Sequence, residues 1–187
     1  MVRTASPRLL LVALLAAGTL LLLPGAADAK RKGGCANANV TPTAANLTQV
    51  RAAVLCLHNR ERAARGLPKL SEQPELRDAA EEHAVHMVDA QFFSHDAPDG
   101  TDMVDRILGT GYADGQAWSL GENIAWGTGP MATAASIQRA WMRSPGHKAN
   151  ILRRQFREIG IGIALGAPAP AGGQDGATYT ADFGVRR

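Results

Sequence analysis

The first 29 residues place the strongest limit on what this chain can fold into. A short basic stretch at residues 1–8 precedes a Leu/Ala-rich apolar run at residues 9–23, and the segment ends in Ala27-Asp28-Ala29, an A-x-A cleavage pattern. These are the parts of a secretory signal peptide. Because the apolar run has about 15 residues and a membrane-spanning helix needs roughly 20, we expect cleavage after Ala29, no remaining transmembrane anchor, and export to the extracellular space or the cell envelope.

Cleavage would leave 158 of the 187 residues, the usual size of one domain with a real core. We expect an extended segment over residues 30–45 and a single domain over residues 46–187. The leader carries two of the 20 Lys/Arg and one of the 17 Asp/Glu, so the remaining net charge is +2 with both signs interspersed. That balance gives no electrostatic footprint for nucleic acid. We interpret the one basic stretch, residues 153–157, as a solvated face.

Two cysteines, Cys35 and Cys56, remain in a chain bound for an oxidising compartment. An even count there favours a disulfide, which would tie the extended segment to the first helix. A loop of about 20 residues is worth roughly 3 kcal/mol in the chain-entropy model. The competing interpretation is a redox or catalytic thiol, and neither cysteine sits in a CxxC motif.

Hydrophobic periodicity predicts helices before and between a few strands. Leu47, Val50, Val54 and Leu57 recur at spacings of three and four, which indicates a first helix ending before Gly66 and Pro68. The predicted helices are 46–65, 74–91, 102–108 and 131–143, and the predicted strands are 120–127, 157–166 and 177–184, the last two forming a hairpin. This order predicts an α+β domain with helices covering a small sheet.

The predicted strand "LGENIAWG" at residues 120–127 contains an acid. Alternation places Glu122 on one face with Leu120, Ile124 and Trp126, a face that reads as core. A carboxylate there is costly unless ionised partners or hydrogen bonds compensate. Asn123 points to the opposite face, and we expect it to bond a neighbouring backbone. Trp126 and Trp141 are expected to be walls of the core.

Three of the five histidines fit structural roles. His83 and His86 form an HxxH pair that could clasp a metal, but His83 continues the apolar stripe of its helix. We therefore favour a core histidine with one hydrogen-bond partner. His58 is expected at the edge of the core or in solvent. The chain lacks an HExxH motif.

His95 in "FFSHDAPDG" and His147 in "SPGHKAN" stand in predicted loops next to rigid elements, where functional side chains concentrate. With Glu122 they complete an ordered set of motifs that runs from about Val50 to Gly184. The set resembles the CAP superfamily, the cysteine-rich secretory, antigen 5 and pathogenesis-related group, in its bacterial SCP-like form. The motifs, in order, are "LCLHNRERAARGLPKL", "HAVHM", "FFSHD", "GENIAWG", "AWMRSPGHKANIL", "FREIGIGIA" and "YTADFG".

The resemblance implies an α-β-α sandwich with a small central antiparallel sheet between helical layers. It also implies a cavity lined by His95, Glu122 and His147, able in some members to hold a divalent ion. Many relatives outside bacteria have a second glutamate just after the Trp of the helix before the second histidine, where this chain has Met142-Arg143-Ser144. Glu158 of "REIG" is the acid of the bacterial pattern and the expected fourth member of the site.

These residues support two functions of different classes. The first is an extracellular binding module for a lipid, a peptide or a cell-envelope component, since no Ser or Cys stands in a catalytic setting. The second is a metal-assisted hydrolase of peptide, phosphodiester or wall polymer, in which His95, His147 and Glu122 form an N,N,O set suited to Zn²⁺ and Glu158 serves as base. A purely structural polar cluster is the third interpretation. The pattern specifies a site and not an activity.

Overall fold

The computed structural model describes residues 34–187; the predicted signal peptide and residues 30–33 lie outside the described part. The helices are α1 (Leu47–Ala63), α2 (Pro74–Asp89), α3 (Met103–Gly109), α4 (Ala134–Arg143) and α5 (Pro145–Leu152). The strands are β1 (Ser71–Glu72), β2 (Trp118–Thr128), β3 (Glu158–Leu165) and β4 (Gly176–Arg186), with a 3₁₀ turn at Gly129–Ala132 after β2. No helix of this part is both apolar enough and long enough to span a bilayer.

The four strands form one sheet in the order β1-β3-β4-β2. The predicted hairpin is β3 and β4, and β2 pairs antiparallel with β4 so that Glu122 lies opposite Asp182. The two-residue β1 adds a short parallel pair at the far edge, fixed by Ser71 N–H donating to the Arg157 carbonyl at 2.9 Å. The predicted antiparallel arrangement of the three long strands is confirmed, and β2 forms an edge of the sheet.

Helices cover both faces of the sheet, which confirms the α-β-α sandwich. One face presents Ile159, Ile161, Ile163 and Phe183 to the core that it shares with α1, α4 and α5. On the other face α2 packs on β3 at two glycines. A Cβ on Gly160 would lie 2.0 Å from the Leu76 carbonyl carbon, and one on Gly162 would lie 2.2 Å from that of Ala80. Only glycine lets the helix approach this closely.

The predicted disulfide between Cys35 and Cys56 is confirmed, with their Cα atoms 5.8 Å apart. Because Cys56 lies in the middle of α1, the bridge ties the preceding segment to that helix. The described residues of that segment, 34–46, form turns and irregular backbone rather than the expected extended chain. No free cysteine remains in the described residues, so the alternative of a redox or catalytic thiol is wrong.

Two expectations about burial are wrong. Trp126 is 37% exposed rather than a wall of the core, since β2 is an edge strand, whereas Trp141 is 1% exposed as expected. His58 is fully buried rather than at the margin of the core. Its ring lies between those of Trp141 and Phe183, with centroids 5.5 and 5.7 Å away.

The sequence analysis did not predict α5. The predicted helix over residues 131–143 is followed by a predicted loop that holds His147, but Pro145 is the first residue of a new helix. Proline is well tolerated there because the first N–H groups of a helix have no intrahelical partner. Ser144 is the C-cap of α4 and the N-cap of α5, so α5 begins immediately and places His147 beside the edge strand β2.

Candidate functional site

Glu122 is the centre of a polar cluster on the α2/α3 side of the sheet. Its side chain is 1% exposed, and both carboxylate oxygens are engaged. Oε1 accepts from His95 Nδ1 at 2.6 Å, and Oε2 accepts from Arg106 Nη2 at 2.8 Å. Two nitrogen donors therefore compensate the buried acid, as hydrogen-bonded burial of a charge requires. The predicted meeting of His95 and Glu122 is observed.

His95 lies in the loop between α2 and α3, and 52% of its side chain is exposed. A hydrogen bond on one side of His95 and a tight turn on the other hold this loop. His83, fully buried on α2, bonds the Ser94 carbonyl through Nε2 at 3.0 Å, which confirms the predicted core histidine with one partner. Beyond His95, the turn at Gly100 uses a φ of +92°, a left-handed conformation that favours glycine. With Nδ1 donating to Glu122, the opposite ring nitrogen is left for another partner.

Arg106 is a member of the site that the sequence analysis missed. It lies near the end of α3, its side chain is 5% exposed, and Nη1 also donates to the Thr101 carbonyl at 3.3 Å. The capping box of Asp102 and Asp105 fixes the start of this helix. A single arginine on a seven-residue helix carries no periodic signal, so only the tertiary contact with Glu122 reveals its role.

Charge shifts the titration of His95 and Glu122 in opposite directions. Burial works to raise the pKa of Glu122, but the hydrogen bond from His95 and the charge of Arg106 outweigh it, so the pKa lies below its ordinary value. The same hydrogen bond raises the pKa of His95 above its ordinary value, against the effect of burial. Each partner thus favours the ionised form of the other.

Asp182 is the second acid that the sequence analysis missed. It is fully buried on β4 opposite Glu122, and neither carboxyl oxygen has a hydrogen-bond partner among the described residues. Burial, followed by the charge of Glu122, raises the pKa of Asp182 well above its ordinary value, so its neutral form is favoured. An acid inside the predicted strand "ATYTADFG" is the same signal that singled out Glu122.

His147 approaches the cluster from the other helical layer. It is half-buried on α5, and its carbonyl accepts from the Asn123 side chain at 2.9 Å, so Asn123 has the predicted structural role. Asn150 adds a bond to the Glu122 carbonyl at 3.0 Å and thereby fastens α5 to β2. Burial, followed by the charge of His95, lowers the pKa of His147. The two imidazoles are therefore within electrostatic range of each other.

Glu158 belongs to a different cluster. Tyr112 Oη donates to its Oε2 at 2.5 Å, and Arg186 Nη2 bonds Oε1 at 2.8 Å. In the described part of the chain Glu158 has no hydrogen bond or ion pair with His95 or Glu122. Tyr112 covers Gly184, where a Cβ would lie 2.2 Å from the tyrosine oxygen. Both acids share one face of the sheet, but the structure does not bring Glu158 into the His95–Glu122 cluster.

A cavity of about 310 Å³ opens over the cluster, which we call the site cavity. Its lining combines the polar side chains of Glu122 and His95 with the apolar side chains of Met103 and Val104 of α3. Asp96 and Asp102 complete the lining. The volume lies at the lower end of the range of small-molecule sites, and the lining suits a ligand with one apolar and one polar part.

Comparison with known proteins identifies a family for this chain. The family model described as "CAP: Cysteine-rich secretory protein family" matches residues 55–179, about two thirds of the chain. The chain belongs to the CAP family. This membership confirms the resemblance and accounts for the α+β fold with helices on both faces of the sheet.

Two similar proteins come from Bacillus subtilis (strain 168). The uncharacterized protein YkwD is 35% identical over 109 residues, which cover 58% of this chain and 40% of YkwD. The uncharacterized membrane protein YlbC is 31% identical over 112 residues, covering 59% of this chain and 30% of YlbC. The chain therefore spans less than half the length of either relative.

Solved structures share the CAP architecture. An extracellular protein containing an SCP domain from Bacillus anthracis str. Ames has a TM-score of 0.60 at 26% identity, covering 78% of this chain and 44% of that one. An outer surface protein from Borrelia burgdorferi has a TM-score of 0.56 at 21% identity, covering 72% and 90% of the two chains. At that identity the Borrelia protein supports the fold alone.

The metal site implied by the CAP resemblance does not fit the observed arrangement without movement. Within residues 34–187, no three His, Cys, Asp or Glu side chains are grouped so that they could hold a metal ion. Both oxygens of Glu122 already bond His95 and Arg106. A divalent ion would also lie beside the buried guanidinium of Arg106, which repels it. The side chains that would bind a metal ion are thus already bonded to other protein groups.

Proposed function

We propose that this chain is a secreted CAP-domain binding module, whose site cavity takes a small amphiphilic ligand of the cell envelope, a lipid or a peptide. The site cavity carries the proposal. Met103 and Val104 offer apolar contact, and the His95–Glu122 pair offers fixed polar groups. Sites of this kind gain affinity from apolar burial and orientation from a few convergent polar groups.

The engagement of Glu122 supports binding rather than hydrolysis. In the hydrolase scheme Glu122 is a zinc ligand and Glu158 is the base, and a general base must be free to accept a proton. Here His95 and Arg106 occupy both carboxylate oxygens of Glu122, and Tyr112 and Arg186 occupy both oxygens of Glu158. Cys35 and Cys56 are joined to each other, so neither supplies a thiol nucleophile. His95, with one ring nitrogen uncommitted, is the group best placed to bond a ligand.

Calorimetric titration tests this proposal with two probes, monomeric dodecylphosphocholine and the tetrapeptide Ala-Glu-Lys-Ala. We expect one of them to bind and to shift the NMR signals of the His95 ring. Met103→Glu should weaken that binding at least tenfold, because it puts a charge into the apolar part of the lining. The matched control is Val85→Glu, a 46% exposed valine on α2 that lines another surface; it should change affinity less than twofold. Equal losses in both variants, or no binding of either probe, would contradict the proposal.

Zinc at His95, His147 and Glu122 is a separate proposal, which rests on the CAP resemblance and on the N,N,O chemistry of these three side chains. It requires His95 Nδ1 to leave Glu122. A bound zinc ion would supply an activated water for hydrolysis. Titration of Zn²⁺ into His95→Ala, His147→Ala and Glu122→Gln tests it, and unchanged affinity in all three removes the metal. Turnover of casein, wall fragments or nucleic acid that Glu122→Gln abolishes would favour the enzyme over the binding module.

A further inference from the structure

A second cavity, of about 300 Å³, lies at the start of the edge strand β2 and shares no lining residue with the site cavity. We call it the basic groove. Its lining combines one aromatic ring, two arginines, two neutral polar side chains and two apolar ones. These are Trp118, Arg153 and Arg187, Ser119 and Gln155, and Ala117 and Val185. The groove joins the basic stretch at residues 153–157 to the end of β4.

The arginines at this groove are not neutralised by the protein. Residues 153–157 and 186–187 contain five arginines. Arg186 pairs with Glu158, and Arg157 donates to three nearby carbonyls. In the described residues, Arg153, Arg154 and Arg187 form no ion pair with a carboxylate. The groove therefore presents excess positive charge, although the chain as a whole carries little.

The loop that presents Arg153 and Gln155 is held from beneath by Arg62. This arginine of α1 is fully buried, and it donates to the carbonyls of Ile151, Arg153 and Phe156 at 2.9 to 3.0 Å. A buried cation committed to backbone carbonyls fixes the path of the loop. Such preorganisation lowers the entropy lost when a ligand binds. The backbone beneath the basic face is thus fixed, while the side chains of Arg153, Arg154 and Gln155 are exposed to solvent as expected.

Trp118 supplies a flat apolar platform beside these charges. It is 43% exposed at the first position of β2. The Arg187 N–H donates to the Ala117 carbonyl at 2.9 Å, which holds the arginine backbone next to it. The large apolar body and polar edge of tryptophan suit it to stacking at a binding surface.

We propose that the basic groove binds an acidic saccharide, with one sugar ring stacked on Trp118 and its anionic group held by Arg153 and Arg187. Guanidinium forks bind carboxylate or phosphate through paired hydrogen bonds. Gln155 and Ser119 can donate to or accept from ring hydroxyls. The groove contains a single aromatic side chain, whereas proteins that bind single-stranded nucleic acid use several stacked platforms. A cavity of this size fits a short acidic segment of a longer polymer.

Calorimetric titration of the full chain with tetragalacturonate tests the proposal. We expect binding that weakens with added salt, and at least tenfold weaker binding of neutral maltotetraose. Trp118→Ala and Arg153→Gln should each weaken tetragalacturonate binding at least tenfold. Arg153→Lys should recover only part of the affinity, because it keeps the charge and loses the fork.

Two control variants carry the same types of substitution at positions outside the basic groove. Trp126→Ala removes a comparably exposed tryptophan from the other end of β2, and Arg60→Gln removes an exposed arginine from α1. Both should change affinity less than twofold. The proposal is overturned if tetragalacturonate does not bind, if the controls lose as much affinity as the groove variants, or if oligothymidylate of equal charge binds as tightly. Circular dichroism verifies that each variant is folded.

Discussion

Glu122 and Asp182 lie opposite each other across the β2–β4 ladder, and both side chains are buried. The two carboxyl groups differ in their hydrogen-bond partners. Glu122 accepts bonds from His95 and Arg106, while neither oxygen of Asp182 has a partner among the described residues. Two close carboxyls seldom ionise together, and the one with cationic partners keeps the charge. The floor of the site cavity thus contains an ionised Glu122 next to a neutral Asp182.

Replacing Asp182 by Asn tests this asymmetry. The pKa of Asp182 is raised on folding, so its contribution to stability is present at low pH and is lost as pH rises above about 4. An asparagine side chain has nearly the same shape as a neutral aspartic acid, but it does not titrate. We expect Asp182→Asn to leave the free energy of unfolding at pH 7 unchanged or higher, and to flatten its decline as pH rises above about 4. Urea denaturation measures both, and a large loss at pH 7 would show that the wild-type acid is a needed anion.

Removing Arg106 should be far more damaging. Arg106→Gln leaves the buried carboxylate of Glu122 with one cationic partner, and breaking a buried pair in this way costs about 3–5 kcal/mol. Arg51→Gln is the matched control, since Arg51 pairs with the partly exposed Glu81 at 2.6 Å. Such a pair is worth about 1 kcal/mol or less. Similar losses in both variants, measured by urea denaturation at pH 7, would contradict a central role for Arg106.

The buried ring of His58 predicts acid sensitivity. Burial lowers its pKa to about 4, whereas in the unfolded chain the ordinary value of about 6.5 applies. The unfolded state therefore binds the proton first, and stability falls by about 3 kcal/mol as pH drops from 6.5 toward 4. His58→Leu should remove that part of the slope in urea denaturation. An unchanged slope would mean that other groups cause the acid sensitivity.

The contact between α2 and β3 predicts a steric effect at Gly160. An added Cβ would lie 2.0 Å from the Leu76 carbonyl carbon and 2.1 Å from the Arg77 nitrogen, both backbone atoms that cannot turn aside. We expect Gly160→Ala to cost about 3 kcal/mol or more by overpacking. Gly146→Ala is the control because nothing lies within 4 Å of its added Cβ. It should change stability by less than about 1 kcal/mol, and thermal unfolding compares the two.

Local patterns in the sequence predicted much of the fold. Spacings of three and four located α1, alternation located the hairpin, and the even cysteine count gave the Cys35–Cys56 bridge. The resemblance added the layered architecture and the meeting of His95 with Glu122. Each of these signals is carried by neighbouring residues or by an ordered series of motifs.

Other features depend on contacts that no local pattern carries. Arg106 takes its role from a strand that begins 12 residues later, and Asp182 from a pairing register across the sheet. Trp126 is exposed because β2 has no strand beyond it, which depends on strand order rather than on alternation. Glu158 was grouped with the site because it is the acid of the bacterial pattern, but Tyr112 and Arg186 provide its bonds.

The titration of His95 is the most direct measurement of the central claim, that an ionised Glu122 at the cavity floor is neutralised by His95 and Arg106. NMR should give a His95 pKa above 6.5 in the wild type and a lower one in Glu122→Gln. Since folding raises this pKa, its contribution to stability is full below pH 6.5 and is lost as pH rises through the folded value. A wild-type pKa at or below 6.5, or the same value in Glu122→Gln, would contradict the account.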